Sequence, residues 1–154
     1  MIDLEKDKVH PAFIEVIKQL TPNEAKFIDL IKDKFELPLI DVLRYTHGSS
    51  FEIDLRNFSL ILENMYDNDA DHIKYSEMFI NNLCRLKIID IPSWTRMTGN
   101  SIYQDLESHH IVTKLLKEKL VNGQYREIYR KKFDITAFGR EFINVCVKDL
   151  KKTS

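Results

Sequence analysis

The sequence predicts a mainly α protein of the α+β class, with a winged helix-turn-helix-like core, a small antiparallel β-ribbon and a helical insertion in the wing. Three observations predict it. Windows with apolar residues at three- and four-residue steps dominate the 154 residues. Residues 75–91, YSEMFINNLCRLKIIDI, read as a helix running straight into a short strand. The stretch 125–135 alternates as a strand does, and a capped helix follows it.

In 75–91, Tyr75, Met78, Phe79, Leu83 and Leu86 fall on one helical face. Ile88, Ile89 and Ile91 then crowd β-branched carbons into four positions, which favours extension, and Pro92 ends the strand because it has no N–H to donate. Upstream, the first helix spans His10 to about Leu20, with Pro11 in its first turn and Phe13, Ile14, Ile17 and Leu20 as its stripe. Thr21-Pro22-Asn23-Glu24 is a capping box that opens a helix at about 22–35, burying Ala25, Ile28, Ile31 and Phe35. Residues 37–43 form a first strand, edge-like because of Pro38. Residues 46–54 read as a loop, and 55–66 as a helix with Leu55, Phe58, Ile61, Leu62 and Met65 inward. The acidic turn 67–71 sits where a helix dipole favours negative charge. Past the loop 92–100, residues 101–120 read as one helix, Asn122-Gly123 as a turn, and Thr136 as the cap of a last helix carrying Phe138, Phe142, Val145 and Cys146. The order is helix, helix, strand, helix, helix, strand, helix, strand, helix. Without the first helix and the insertion at about 93–123, it is the winged-helix order. One domain, 9–150, is expected, between a flexible segment at 1–8 and a tail at 151–154.

Composition narrows the function. The chain is 44% apolar and 31% charged, as globular proteins are. No apolar run approaches the ~18 residues of a membrane span, and MIDLEKDK lacks the apolar region of a signal peptide, so a cytoplasmic protein without membrane contact is expected. Cys84 and Cys146 lie in apolar helical patterns and read as reduced core thiols. Charge is unevenly divided. Residues 1–78 hold nine Lys/Arg against sixteen Asp/Glu, a balance of −7; residues 79–154 hold fourteen against eight, a balance of +6. The division reads either as patterning of solvated faces or as a basic face built from the C-terminal half.

Catalytic chemistry finds no motif. The four glycines are isolated, so no phosphate-binding loop can be built, and no HExxH or CxxC spacing exists. His109 and His110 are adjacent, hence about 100° apart on a helix, and read as partly exposed surface residues. No metal, cofactor or catalytic residue is therefore expected. Nucleic-acid contact has one place to occur. Arg126, Arg130 and Lys132 share a strand face, with Lys131 beside them, and four cations there would grip phosphates. The plainer reading is an edge strand protected by charge. The helix 71–87 starts acidic, which disfavours it as a base reader.

Two segments carry a family resemblance. VHPAFIEVIKQLTPNEAKFIDLI at 9–31 with PLIDV at 38–42, and NNLCRLKIIDI at 81–91 with FDITAFGREFINVC at 133–146, resemble the abortive infection alpha family across most of the chain. The resemblance implies a bacterial or phage-related protein linked to phage defence, with no catalytic residue to carry over. Family members often have more chain upstream, so the resemblance implies the expectation that this chain is a domain excised from, or shorter than, the usual protein. The expected function is a non-enzymatic interaction module contacting a protein or nucleic-acid partner. The alternative is a winged-helix regulator that grips DNA through the basic ribbon, and a nuclease-like toxin ranks third. The partner and the oligomeric state, a homodimer included, stay open.

Overall fold

The computed structural model describes residues 10–48 and 50–148. The flexible segment expected at 1–8 and the tail expected at 151–154 lie outside the described residues. Helix α1 is Pro11–Gln19 and α2 is Pro22–Ile31; strand β1 is Glu36–Thr46 and β2 is Phe51–Phe58. A short 3-10 turn at Leu60–Leu62 precedes α3, Asp69–Arg85, and β3, Ile89–Asp90. Then come α4, Asn100–Glu107, α5, His110–Lys117, β4, Gln124–Ile135, and α6, Ala137–Phe142, which continues as a π-helical turn through Lys148.

The organising element is a four-stranded antiparallel sheet in the order β2-β1-β4-β3. Strand β4 runs beside β1 from Glu36↔Asp134 to Thr46↔Gln124, and it meets β3 only at Ile89↔Ile135 and Asp90↔Asp134. This corrects the winged-helix expectation. The pairing of the 88–91 and 125–135 strands does occur, but over two residues. The long partner of β4 is β1, far upstream, so the molecule is an α+β sheet protein rather than a helical domain with a wing. The helical insertion covers one face of the sheet: Tyr103, Leu106, Ile111 and Val112 pack on Ile40, Val42, Leu55, Phe58 and Ile128. The opposite face, with Leu39 and Phe133, packs under α1, α2, α3 and α6 through Phe13, Phe27, Ile80, Leu83 and Phe142. Each side chain fully buried there contributes about 1.5–3 kcal/mol.

Several local readings are corrected with it. The stretch 55–66 is not a helix: β2 runs to Phe58, and only Leu60–Leu62 turns. Asn57, at φ +53°, sits in a β1–β2 irregularity, with Asp41 Oδ1 accepting its backbone N–H at 2.8 Å. Strand β1 is interior, not an edge; β2 reaches only to Ile40, so Pro38 costs no ladder bond on that side. Helix α2 stops at Ile31, which leaves Phe35 81% exposed against the Arg140 guanidinium. The single helix expected at 101–120 is two, broken at Ser108–His109.

Caps hold as the residue types require. Thr21 and Glu24 close the capping box of α2, and Asn68 caps α3 by accepting the Asp71 N–H. Thr136 caps α6 and donates from its hydroxyl to the carbonyls of Lys87 and Ile88. A Cβ on Gly139 would lie 2.1 Å from the Ile88 carbonyl oxygen, so only glycine lets α6 lie flush against the end of α3 and β3. Cys146 is buried in the main core, and burial pushes the Cys84 thiol at its margin above the ordinary value. Among the described residues, no helix is long and apolar enough to cross a membrane.

Candidate functional site

The basic ribbon is the first place to look, and β4 presents it as an internally neutralised strip. Arg126 donates to Asp54 at 2.9 Å, its side chain only 6% exposed. Arg130 forms a two-pronged pair with Glu107 of α4, at 2.6 and 3.0 Å. Lys131 projects to the opposite face and donates to both Asp41 oxygens, at 3.2 and 3.1 Å, and to the Asn57 side chain. Lys132 meets Glu36 at 2.7 Å and Asp134 at 2.9 Å; the Glu36 bond above all raises its pKa from the ordinary 10.5. All four predicted cations are held by carboxylates. Three of the strip's partners, Glu36, Asp41 and Asp54, belong to the acidic N-terminal half. Part of the charge asymmetry of the sequence is thus folded inward as pairs between the halves.

The histidines form the second cluster. Glu63, His72 and His109 bring potential metal-ligating atoms within 4.8 Å of one another. Their hydrogen bonds decide what they do. His109 caps α5: the Ile111 N–H donates to its Nδ1 at 3.2 Å, which places the ring proton on Nε2, and that proton goes to Glu63 at 2.6 Å. Neither nitrogen of His109 keeps a lone pair for an ion, so the residues do not fit a metal. His72 donates from Nε2 to the Ser59 carbonyl at 3.0 Å and stacks on Phe58. His110 bonds Asp69 at 2.7 Å, and that bond holds the Asp69 carboxyl below its ordinary value. The cluster staples α5 to α3 and to the segment before it. Its rings stack, His109 on His110 at 4.4 Å, because the chain leaves the helical path at His109. Reading the pair as surface helix residues missed this; the side chain of His109 is 8% exposed. Among the described residues, no Ser or Thr hydroxyl bonds a histidine nitrogen.

The third feature is a groove of about 750 Å³ between the start of α2 and the outer face of α3. Its scaffold is the capping box. Glu24, 4% exposed, accepts the Thr21 N–H through Oε1 and the Asn82 amide through Oε2 at 2.6 Å, which ties the two helices together. Asn82 Oδ1 and Gln19 Oε1 accept from Arg85, at 2.6 and 2.8 Å, so this guanidinium is fixed by neutral amides, and among the described residues no carboxylate pairs with it. Tyr66 and Tyr75 stack at 4.7 Å to line the other end, where Asn23 donates to the Tyr66 hydroxyl. Burial pushes that phenol above its ordinary value, so it stays protonated across neutral pH. Met78 stands 49% exposed between the two ends. Asn23 and Asn81 also line the groove; Asn23 Nδ2 donates to Tyr66 and Asn81 Oδ1 accepts from Asn57, while Asn23 Oδ1 and Asn81 Nδ2 have no hydrogen bond among the described residues.

The comparisons agree with the scaffold. The model of the family described as "Abortive infection alpha" matches residues 1–146. The chain belongs to the abortive infection alpha family. No curated protein matches this family member significantly. A solved structure, of an uncharacterized protein from the hydrocarbon-degrading marine bacterium Alcanivorax borkumensis SK2, superposes with a TM-score of 0.54 at 18% identity, covering 87% of this chain and 91% of that one. It shows the shared fold. Within this abortive infection alpha protein, the groove is what reading the sequence missed. Thr21, Glu24 and Asn82 were visible as a cap and a helix surface, but nothing in their spacing told that α2 and α3 meet there.

Proposed function

We propose that this abortive infection alpha protein acts in phage defence as a non-enzymatic binding module, and that it contacts a protein partner through the α2–α3 groove. The observation that supports the reading most is the groove's preorganised wall. Arg85, Asn82 and Glu24 are locked to one another, so a partner meets groups whose ordering cost is already met by the fold. The exposed Met78 and the stacked tyrosines supply the apolar contact that interface centres favour.

The test is phage plating on bacteria expressing the chain. Met78→Arg and Arg85→Ala lie on the groove surface and should leave the melting temperature within a few degrees of wild type. Protection is expected to fall to the level of cells carrying the empty vector. Full protection from both folded variants would remove the groove from the function.

A further inference from the structure

We infer that the groove takes a short extended peptide carrying a basic residue near one end and an acidic residue near the other. The inference rests on the binding-module reading and adds the ligand class. Length comes first. Asp71 and Arg85 both line the groove and stand fourteen residues apart on α3. At 1.5 Å per residue that is about 21 Å, the span of about six residues of extended chain. Charge comes second. The α3 N-terminal end carries Asp71, with Asp67 just before the helix, and the other end carries Arg85 on its neutral amide props. A segment with opposite charges at its two ends complements both, and one acidic residue over Arg85 gains a charge-assisted pair without having to displace a carboxylate.

The polar lining of the groove speaks for a polypeptide. A peptide backbone offers N–H and C=O groups to both sides, and the lining holds an amide acceptor, Asn23 Oδ1 on α2, and an amide donor, Asn81 Nδ2 on α3, that no other described residue uses. Met78 gives an apolar side chain a surface between the charged ends, and the Tyr66–Tyr75 stack extends that surface towards the Asp71 end. A phosphate chain is disfavoured, since Glu24 and Asp71 outnumber Arg85 along the groove.

The experiment is selection of end-blocked random octapeptides on the whole chain, followed by fluorescence anisotropy with the best sequence. The expected result is a consensus with one basic and one acidic position separated by four to six residues. Arg85→Gln should weaken that peptide at least about tenfold, the worth of one charge-assisted hydrogen bond. Arg85→Glu should select a basic residue in place of the acidic one, with both variants melting as wild type does. No enrichment, the same consensus on Arg85→Glu, or tighter binding of a single-stranded oligonucleotide than of the peptide would overturn the inference. Phage plating separates the two ideas. Groove variants that lose protection while no peptide is selected leave the binding module standing and remove the peptide. A clear consensus without protection leaves the peptide site standing and removes the defence role.

Discussion

Lys132 shows what the basic residues of β4 do one at a time. With Glu36 and Asp134 at bonding distance, its ammonium is favoured over the free amine, so its pKa is raised. A raised folded value means that the contribution is fully present below the unfolded 10.5 and is lost as pH climbs through the higher folded value. Wild-type protein should therefore lose stability above about pH 10.5 faster than Lys132→Met does, while near pH 7 the two differ by no more than about 1 kcal/mol, because both carboxylate partners stay open to solvent. Urea midpoints between pH 8 and 11 measure it, and parallel curves for the two proteins would refute it. The same residue illustrates what sequence discloses at this scale. Alternation put Arg126, Arg130 and Lys132 on one face correctly, yet Asp54, Glu107 and Glu36 come to them from 72, 23 and 96 positions away, and no local pattern points to these three.

At the scale of the element, β2 is the instructive case. Leu55, Phe58, Ile61, Leu62 and Met65 satisfy helical spacing, and the chain still runs extended through Phe58. The pattern is equally that of a strand bent at one residue, and β1 supplies the neighbour that decides. Asn57 makes the bend with a positive φ, its N–H bonded to Asp41 and its amide to Asn81. Asn57→Val places a β-branched residue in a left-handed backbone and deletes those side-chain bonds. It should cost about 2–4 kcal/mol in urea unfolding, whereas Asn57→Gly, which keeps the backbone free, should cost less. Equal losses would mean that the bend stores no strain. Helices read more reliably because their caps are local. Thr21 with Glu24 and Thr136 marked true starts, and His109 escaped notice because a histidine is an unusual cap.

For the molecule as a whole, the partly buried pair Asp41–Lys131 joins the two halves of the chain beneath α3. Asp41 also accepts the Asn57 N–H, so removing it deprives Lys131 of its carboxylate, leaving only the Asn57 side-chain oxygen, and takes the acceptor from a backbone donor. Asp41→Leu is expected to destabilise by about 3–5 kcal/mol, and adding Lys131→Met should restore part of that, because the paired deletion leaves no uncompensated charge. A double-mutant cycle in urea reads the coupling. Strict additivity would show that the pair does not bind the halves. This architecture also bears on the groove, since Asn57 hands its amide to Asn81 on the groove wall, linking the sheet to the surface proposed to bind.

By itself the sequence determined what is local: where α1, α2, α3 and α6 begin, where β4 runs, the thiols at the core and the family to which the chain belongs. Those features depend on side-chain spacing, caps and proline, all within a few residues of one another. The tertiary structure alone decided that β1 and β4 pair along their length, that 51–58 is a strand, that the basic strip is neutralised from across the chain, and that α2 and α3 enclose a groove. Apart from the β1–β2 hairpin, which joins neighbouring segments at Tyr45↔Phe51, each of these is a meeting of segments tens of residues apart. Such meetings are selected by burial of both sheet faces at once, a condition the whole chain satisfies together and no window of it expresses.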